Sequence, residues 1–319
     1  MRKPQKGPKS RKKASNDNSR KGAAKLPFAI SNPDKVFWPE EGYTKGDLAA
    51  FYTDVFPALQ PYVRDRILTL ERCPDGMQGQ CFYQKEMPKG MPPGTPSKRI
   101  ATKTGNRPST NYVVGGSLET QVALVNLGCI PIHVTGSRAK TFPKPDWICF
   151  DLDPITGSFQ DAARASVYVK KALDELHLAS FPKTSGSRGL HIFIPIATGP
   201  VADEVLKFAE KLVSMVAKAH PKELTVEHSI AARGDRVYLD PFRNGSVQTV
   251  VSPYSVRRKP HAPVSTPLDW AEVGRLKDPA AFNIKNFAKR LNKREPWADF
   301  FKQKQSLRSA VRELERLAR

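Results

Sequence analysis

From Leu26 to about Phe301 apolar positions recur at the intervals of regular secondary structure, with no long linker between them. That continuity predicts one compact unit, or two intimately packed lobes. Thr44 followed three residues later by Asp47 has the form of a capping box. Leu48, Phe51, Tyr52, Val55 and Leu59 then share one helical face, so a helix is predicted over 45–60. Ser158 and Asp161 repeat this logic before Ala165, Val169, Ala172, Leu173 and Leu176, and a further helix is predicted over 202–219. Residues 67–71 alternate as a half-buried strand does, and the apolar run 147–150 leads straight into "DLDP". "SGSRGLHIFIPI" reads as a loop entering a strand, and "RVYLD" (236–240) and "TVVSPYSV" (249–256) as strands of a hairpin around Asn244-Gly245. Leu307, Val311, Leu314 and Leu317 mark 302–319 as a charged C-terminal helix or tail. Interspersed helices and hairpin strands predict an α+β fold rather than a purely parallel sheet.

Charge narrows the partner. The chain has 52 Lys and Arg against 31 Asp and Glu, a net +21 that attracts polyanions, nucleic acid first among them. Residues 1–25 hold ten of those cations, a single acid, Asp17, and almost nothing apolar, which predicts a disordered basic tail. A solubilising linker and a non-specific DNA grip are both open readings of it. The remaining chain still carries +12, so the folded part should itself bind a polyanion. No apolar run approaches the roughly 18 residues of a membrane span, and no apolar stretch follows the basic N-terminus as in a secretory signal. A cytoplasmic protein is expected, with Cys73, Cys81, Cys129 and Cys149 as reduced, buried thiols.

Asp151 and Asp153 flank Leu152 at the end of an apolar strand, and the period of two puts both carboxylates on one face. Two such charges about 4 Å apart repel by roughly 4 kcal/mol at an effective dielectric of about 20, which calls for protonation or a bound cation. Hard oxygen ligands suit Mg²⁺ or Mn²⁺, the ions of phosphoryl transfer. Asp240, closing "RVYLD", is the candidate third carboxylate; a plain turn before Pro241 is the competing reading. "TSGSRGLH" (184–191) offers small residues whose amides can form an anion nest, and Arg233, Arg236, Arg243, Arg257 and Arg258 follow as forked phosphate ligands. His133 is either a cavity residue or a satisfied core histidine. Lys35 and Lys45 bracket a turn containing Trp38, and "CFYQK" interleaves Phe82 and Tyr83 with Lys85, the pattern of base stacking beside phosphate contacts. Arg72 joins this candidate DNA-binding set.

Six motifs in order, "NPDKVFWPEEGYTKGDL", "CFYQK", "DLDP", "KTSGSRGLH", "LDPFRN" and "PYSVR", resemble the polymerase domain of the bacterial ligase D end-joining family, within the archaeo-eukaryotic primase superfamily. The resemblance spans about 26–300 and implies a primase-like catalytic domain with sheets forming a cleft. It implies that Asp151, Asp153 and Asp240 hold two Mn²⁺ or Mg²⁺ ions. It places Ser185, Arg188 and His191 on a triphosphate-binding loop, with Arg243, Arg257 and His133 at the nucleotide. It assigns Lys35 and Lys45 to a DNA 5′-phosphate, and Phe82 and Tyr83 to the template. The implied activity is addition of ribo- or deoxyribonucleotides to a 3′-hydroxyl at gaps and broken ends, with nucleoside triphosphates as substrates and Ku and a separate ligase as possible partners; excision repair or priming is the variant role.

This sequence departs from the family at Val134 and Thr135, where Pro-Trp usually follows the histidine, and at Arg188, commonly Lys. It also contains no motif of a fused ligase or nuclease, so a stand-alone polymerase, or one recruiting a ligase in trans, is expected. Two other classes compete: a non-catalytic DNA-end-binding module, and a haloacid-dehalogenase-type phosphatase with Asp151 as nucleophile, for which Ile155 stands in place of the usual Thr or Val.

Overall fold

A computed structural model describes residues 26–102, 108–155 and 158–317. The basic tail expected over 1–25 lies outside the described residues. The chain opens with a short hairpin, β1 (Val36–Trp38) and β2 (Tyr43–Thr44), that delivers Thr44 to the N-cap of α1 (Lys45–Val63). There the Asp47 amide donates to Thr44 Oγ1 at 3.1 Å and the Thr44 amide donates to Asp47 Oδ2 at 2.9 Å, satisfying donors the first turn cannot pair internally. Leu48, Phe51, Tyr52, Val55 and Leu59 are all buried, and Tyr52 donates from its hydroxyl to the Ile130 carbonyl at 2.7 Å.

The remaining long elements are β3 (Arg66–Arg72), β4 (Phe82–Gln84), β5 (Ser97–Ala101), β6 (Ser109–Val113), α2 (Leu118–Asn126), β7 (Cys129–Arg138), β8 (Trp147–Pro154), α3 (Phe159–Glu175), β9 (Phe181–Thr184), β10 (Leu190–Pro195), α4 (Ala202–Ala219), β11 (Leu224–Thr225), β12 (Val237–Asp240) and β13 (Thr249–Val251). They build two principal sheets. One has the order β13-β7-β3-β4 and is antiparallel throughout; the other has the order β11-β12-β8-β10-β9, with only the β11–β12 pair parallel.

The second sheet is two-sided, and the two sides differ in chemistry. Ile148, Phe150 and Leu152 of β8, Leu190, Ile192 and Ile194 of β10, and Val237 and Leu239 of β12 pack in one core with α3 and α4. Each such side chain stabilises the fold by about 1.5–3 kcal/mol relative to exposure. Because the strand period is two, the intervening residues go to the other face, where Trp147, Cys149 and Phe193 join the core of the first sheet and α1. Further along the same strands that face turns polar, at Asp151, Asp153, His191, Tyr238 and Asp240. A C-terminal helix (Leu307–Leu317) seats Leu307, Ala310 and Leu314 in the core beneath α4.

Two expectations are corrected. β12 and β13 are not hairpin partners: β12 pairs with β8 and β11, β13 pairs with β7, and β13 ends at Val251. The Asn-Gly pair lies instead in a crossing between the sheets, where the buried Asn244 side chain acts as a substitute strand. Its Oδ1 accepts from the Cys149 amide at 2.8 Å and its Nδ2 donates to the Cys149 carbonyl at 2.8 Å and to Pro241 O at 2.7 Å. A buried amide that completes a strand edge outweighs local turn preference. The cysteines also differ from expectation: Cys73 and Cys81, at the two ends of the loop between β3 and β4, are joined in a disulfide, while Cys129 and Cys149 are buried free thiols.

Candidate active site

Register decides which side chains meet. Asp151 on β8 lies between His191 on β10 and Asp240 on β12; Lys183 on β9 extends the row beyond His191, and Tyr238 stands opposite Asp153. Lys183, His191, Asp151 and Asp240 therefore form one line across four strands. His191 Nε2 is 3.2 Å from Asp151 Oδ1, and the Arg243 Nε lies 3.1 Å from Asp151 Oδ2 and 3.3 Å from Asp240 Oδ2. Arg243 reaches that position because the crossing anchored by Asn244 turns it back over the sheet.

The carboxylates are unlike one another. Burial pushes the Asp151 carboxyl up, but His191 and Arg243 outweigh it and hold the group well below the usual carboxylate range. Burial and the charge of Asp151 raise Asp153. Burial also raises Asp240; Arg243 opposes this and Asp151 adds to it. Among the described residues, no three His, Cys, Asp or Glu side chains form a closed metal-binding group. The donor chemistry nevertheless fits a hard divalent cation: oxygen-only ligands on one face, two with raised proton affinity, already gathered by a cationic side chain.

The loop after β9 closes tightly on β8. A Cβ at Gly189 would come within 2.4 Å of the Leu152 carbonyl, so only glycine permits the approach. The open anion nest expected here is corrected in part. Ser185 Oγ accepts from the Ser187 amide at 3.2 Å and from the Gly189 amide at 3.1 Å, so two loop donors are already engaged. Arg188 donates to Ile155 O at 2.6 Å, and Arg257 donates to Ser185 O at 2.7 Å, which ties the "PYSVR" segment to the loop.

The first sheet supplies the opposite wall. His133 on β7 is pushed down to about 3 by burial and by the charges of Arg257, Arg243 and Lys183, and its buried Nδ1 has no hydrogen-bond partner among the described residues. The ring of Tyr83 stands 6.1 Å from the His133 ring. Phe82 and Tyr83 are 43% and 66% exposed, which removes the core-packing reading of this pair. Arg72 lies 5.5 Å over the Phe82 ring while donating to Gln84 Oε1 and to Leu127 O, both at 3.0 Å, so it braces the strand that presents the aromatics. Lys85 is exposed beside them. Lys45 is buried and donates to Ser31 O at 2.8 Å and Ser31 Oγ at 3.1 Å; burial and the charge of Lys35 lower its proton affinity. Lys35 pairs with Asp75 at 2.5 Å.

Sequence reasoning passed over two residues. Buried Glu71 holds both Arg258 (2.6 Å) and the Tyr83 hydroxyl (3.4 Å), although its place at the polar end of an alternating strand was a signal. Lys183 is fully buried, with its Nζ 2.9 Å from His191 Nδ1, and burial lowers it to about 7. It stands two residues before Ser185, between Pro182 and Thr184 at the end of β9.

Residues 44–297 match the LigD primase-polymerase domain. The chain belongs to this family. Over 305 residues it is 30% identical to the multifunctional non-homologous end joining protein LigD of Pseudomonas aeruginosa, covering 94% of this chain and 36% of that protein. It is 29% identical over 275 residues to the bifunctional non-homologous end joining protein LigD of Bacillus subtilis, covering 85% of this chain and 44% of that one. The chain thus spans well under half the length of these relatives. The polymerase domain of Mycobacterium tuberculosis ligase D, solved in complex with DNA, superposes with a TM-score of 0.79 at 25% identity over 86% of this chain and 98% of that domain. Both the expected α+β fold and the expected family hold, and this LigD-type primase-polymerase is a polymerase of the nucleotidyltransferase class. The phosphatase reading is left without support. Among the described residues no helix is long and apolar enough to cross a membrane.

Proposed function

We propose that this LigD-type domain is a metal-dependent polymerase that adds nucleotides, ribo- or deoxyribo-, to a DNA 3′-hydroxyl at gaps and broken ends. The observation that carries the reading is the row Lys183–His191–Asp151–Asp240, with Asp153 on the same sheet face and Arg243 bridging two of the carboxylates. Asp151, Asp153 and Asp240 would hold two Mg²⁺ or Mn²⁺ ions, which when bound neutralise charge on the reacting oxygens. In the reaction the primer 3′-hydroxyl gives up its proton to water as its oxygen bonds to the α-phosphorus of a nucleoside triphosphate. The bond from that phosphorus to the β-phosphate oxygen breaks, and pyrophosphate leaves.

The chain's own residues bind and orient. Arg257, Arg188 and Ser185 line the triphosphate side, His191 stands beside them with both ring nitrogens engaged by Lys183 and Asp151, and Arg243, 40% exposed, can exchange carboxylate for phosphate. His133 offers an unpartnered ring nitrogen to the nucleotide. Phe82 and Tyr83 give exposed faces for template bases, with Arg72 and Lys85 beside them, and Lys35 and Lys45 receive a 5′-phosphate across the gap. The same reading places the protein in the cytoplasm at the nucleoid, with DNA as partner and with Ku and a separate ligase as partners in end joining.

Incorporation of labelled nucleotide on a gapped duplex tests this, with Mn²⁺, with Mg²⁺ and with chelator. Metal-dependent extension by one or more nucleotides is expected. Tight DNA binding with no extension under any metal would convert the reading to a non-catalytic end-binding module.

A further inference from the structure

A charged side chain buried without a counter-ion is costly, several kcal/mol in ordinary cases, and is retained where it has work to do. Burial brings Lys183 down to about 7, so it carries such a charge in part at neutral pH and fully below it. It is 0% exposed, and among the described residues no acidic side chain forms an ion pair with it. Its hydrogen bonds can be counted. The Ser265 hydroxyl donates to Thr184 O at 2.8 Å, so towards Lys183 Nζ, 2.5 Å away, Ser265 Oγ can only accept. Thr184 O accepts a second N–H at 3.4 Å, which leaves the third N–H of the ammonium for His191 Nδ1 at 2.9 Å. On the far side of the ring, Nε2 faces Asp151 Oδ1, and an ionised carboxylate accepts without donating. Only one neutral form of His191 satisfies both neighbours: bare Nδ1, protonated Nε2.

We propose that Lys183 is a positioning residue of the polymerase site: it anchors the His191 ring at Nδ1, so that His191 Nε2–H holds the Asp151 carboxylate in the orientation its role as a metal ligand requires. The inference rests on the reading of Asp151 given above. Groups that orient a metal ligand through a hydrogen bond typically change metal affinity by about 10- to 100-fold when removed. Lys183 acts at one further remove, through a histidine.

The test uses the full chain carrying ¹⁵N-labelled histidine, with His191→Gln to assign the His191 signals. In the unsubstituted protein His191 should show an unprotonated Nδ1 and a protonated Nε2 without added metal. Lys183→Met, which fills the space without the donor, should leave the tautomer to Asp151 but loosen the ring, read as a weaker Nε2–H bond to Asp151: an upfield shift and faster solvent exchange of that proton. It should also raise the half-saturating Mn²⁺ for nucleotide addition by about tenfold or more, with the Kd for gapped DNA unchanged. Ser265→Ala, a smaller perturbation of the same ammonium, should move both readouts in the same direction by less, and it serves if the Met variant does not fold. A protonated Nδ1 in the unsubstituted protein overturns the proposal, as does an unchanged Mn²⁺ dependence in the folded variants. The two readings fail separately: no metal-dependent extension by the unsubstituted protein, with the tautomer as expected, would sink the polymerase assignment alone.

Discussion

Replacing Lys35 and Lys45 together with Ala should abolish any preference of this domain for a 5′-phosphorylated gap, and the size of that preference follows from the surroundings of the two ammonium groups. Lys45 is 6% exposed and spends two N–H donors on Ser31, which leaves the third for a ligand oxygen. A charge-assisted bond from that donor to phosphate contributes about 1.5–3 kcal/mol. The Lys35 side chain is 38% exposed and must leave Asp75 to help, so its share is about 0–1 kcal/mol. The sum, about 1.5–4 kcal/mol, corresponds to roughly 10- to 1,000-fold tighter binding of a gapped duplex bearing the terminal phosphate than of its hydroxyl counterpart. Fluorescence anisotropy at one fixed salt concentration reads both affinities directly. Lys35→Ala alone should cost less than about fivefold and Lys45→Ala most of the difference. Equal affinity of the unsubstituted protein for the two ends would refute the pocket and leave both residues as ordinary surface and structural lysines.

Asp153→Asn should raise Tm in metal-free buffer at neutral pH by roughly 1–4 °C, the scale of about 1 kcal/mol, while nucleotide addition is lost. Its folded-state proton affinity is raised, so the native protein binds the extra proton, stability falls as pH rises through the raised pKa, and the gain from Asn should fade on acidification in a differential-scanning series. Opening the Cys73–Cys81 disulfide, by Cys81→Ser or by reductant, should cost about 2.5 kcal/mol for so short a loop, seen as a lower denaturation midpoint that reductant does not shift further in the variant. Removing residues 1–25 deletes nine net positive charges and should flatten the slope of log K against log salt by about 0.7–0.9 per lost phosphate contact, with addition at saturating DNA retained; an unchanged slope would make the tail a spacer.

The long helices and the carboxylate strand were legible because each depends on local periodicity: Thr44 and Asp47 cap α1 as their spacing requires, and Asp151 and Asp153 share a face because strands alternate. What joins Asp151 to Asp240 and His191 was not legible, since strand order in the sheet is set by long-range packing and no spacing encodes it. The Asn244-Gly245 pair misled for the same reason. Its local turn preference is real, but the Asn244 amide gains more by completing the backbone of β8. Lys183 opens the "KTSGSRGLH" motif, yet no spacing shows that its ammonium meets His191, because that contact crosses from β9 to β10.

In the proposed mechanism Asp151, Asp153 and Asp240 carry the chemistry and do not grip DNA. Single-nucleotide addition and gapped-DNA affinity, measured side by side for Asp151→Ala, Asp153→Ala and Asp240→Ala in Mn²⁺, test it most directly. Loss of addition by at least about a hundredfold is expected in each variant, with DNA Kd within about threefold of the unsubstituted protein. Near-normal addition by the Asp151 or Asp153 variant would contradict it outright, and normal addition by Asp240→Ala alone would remove that residue from the site.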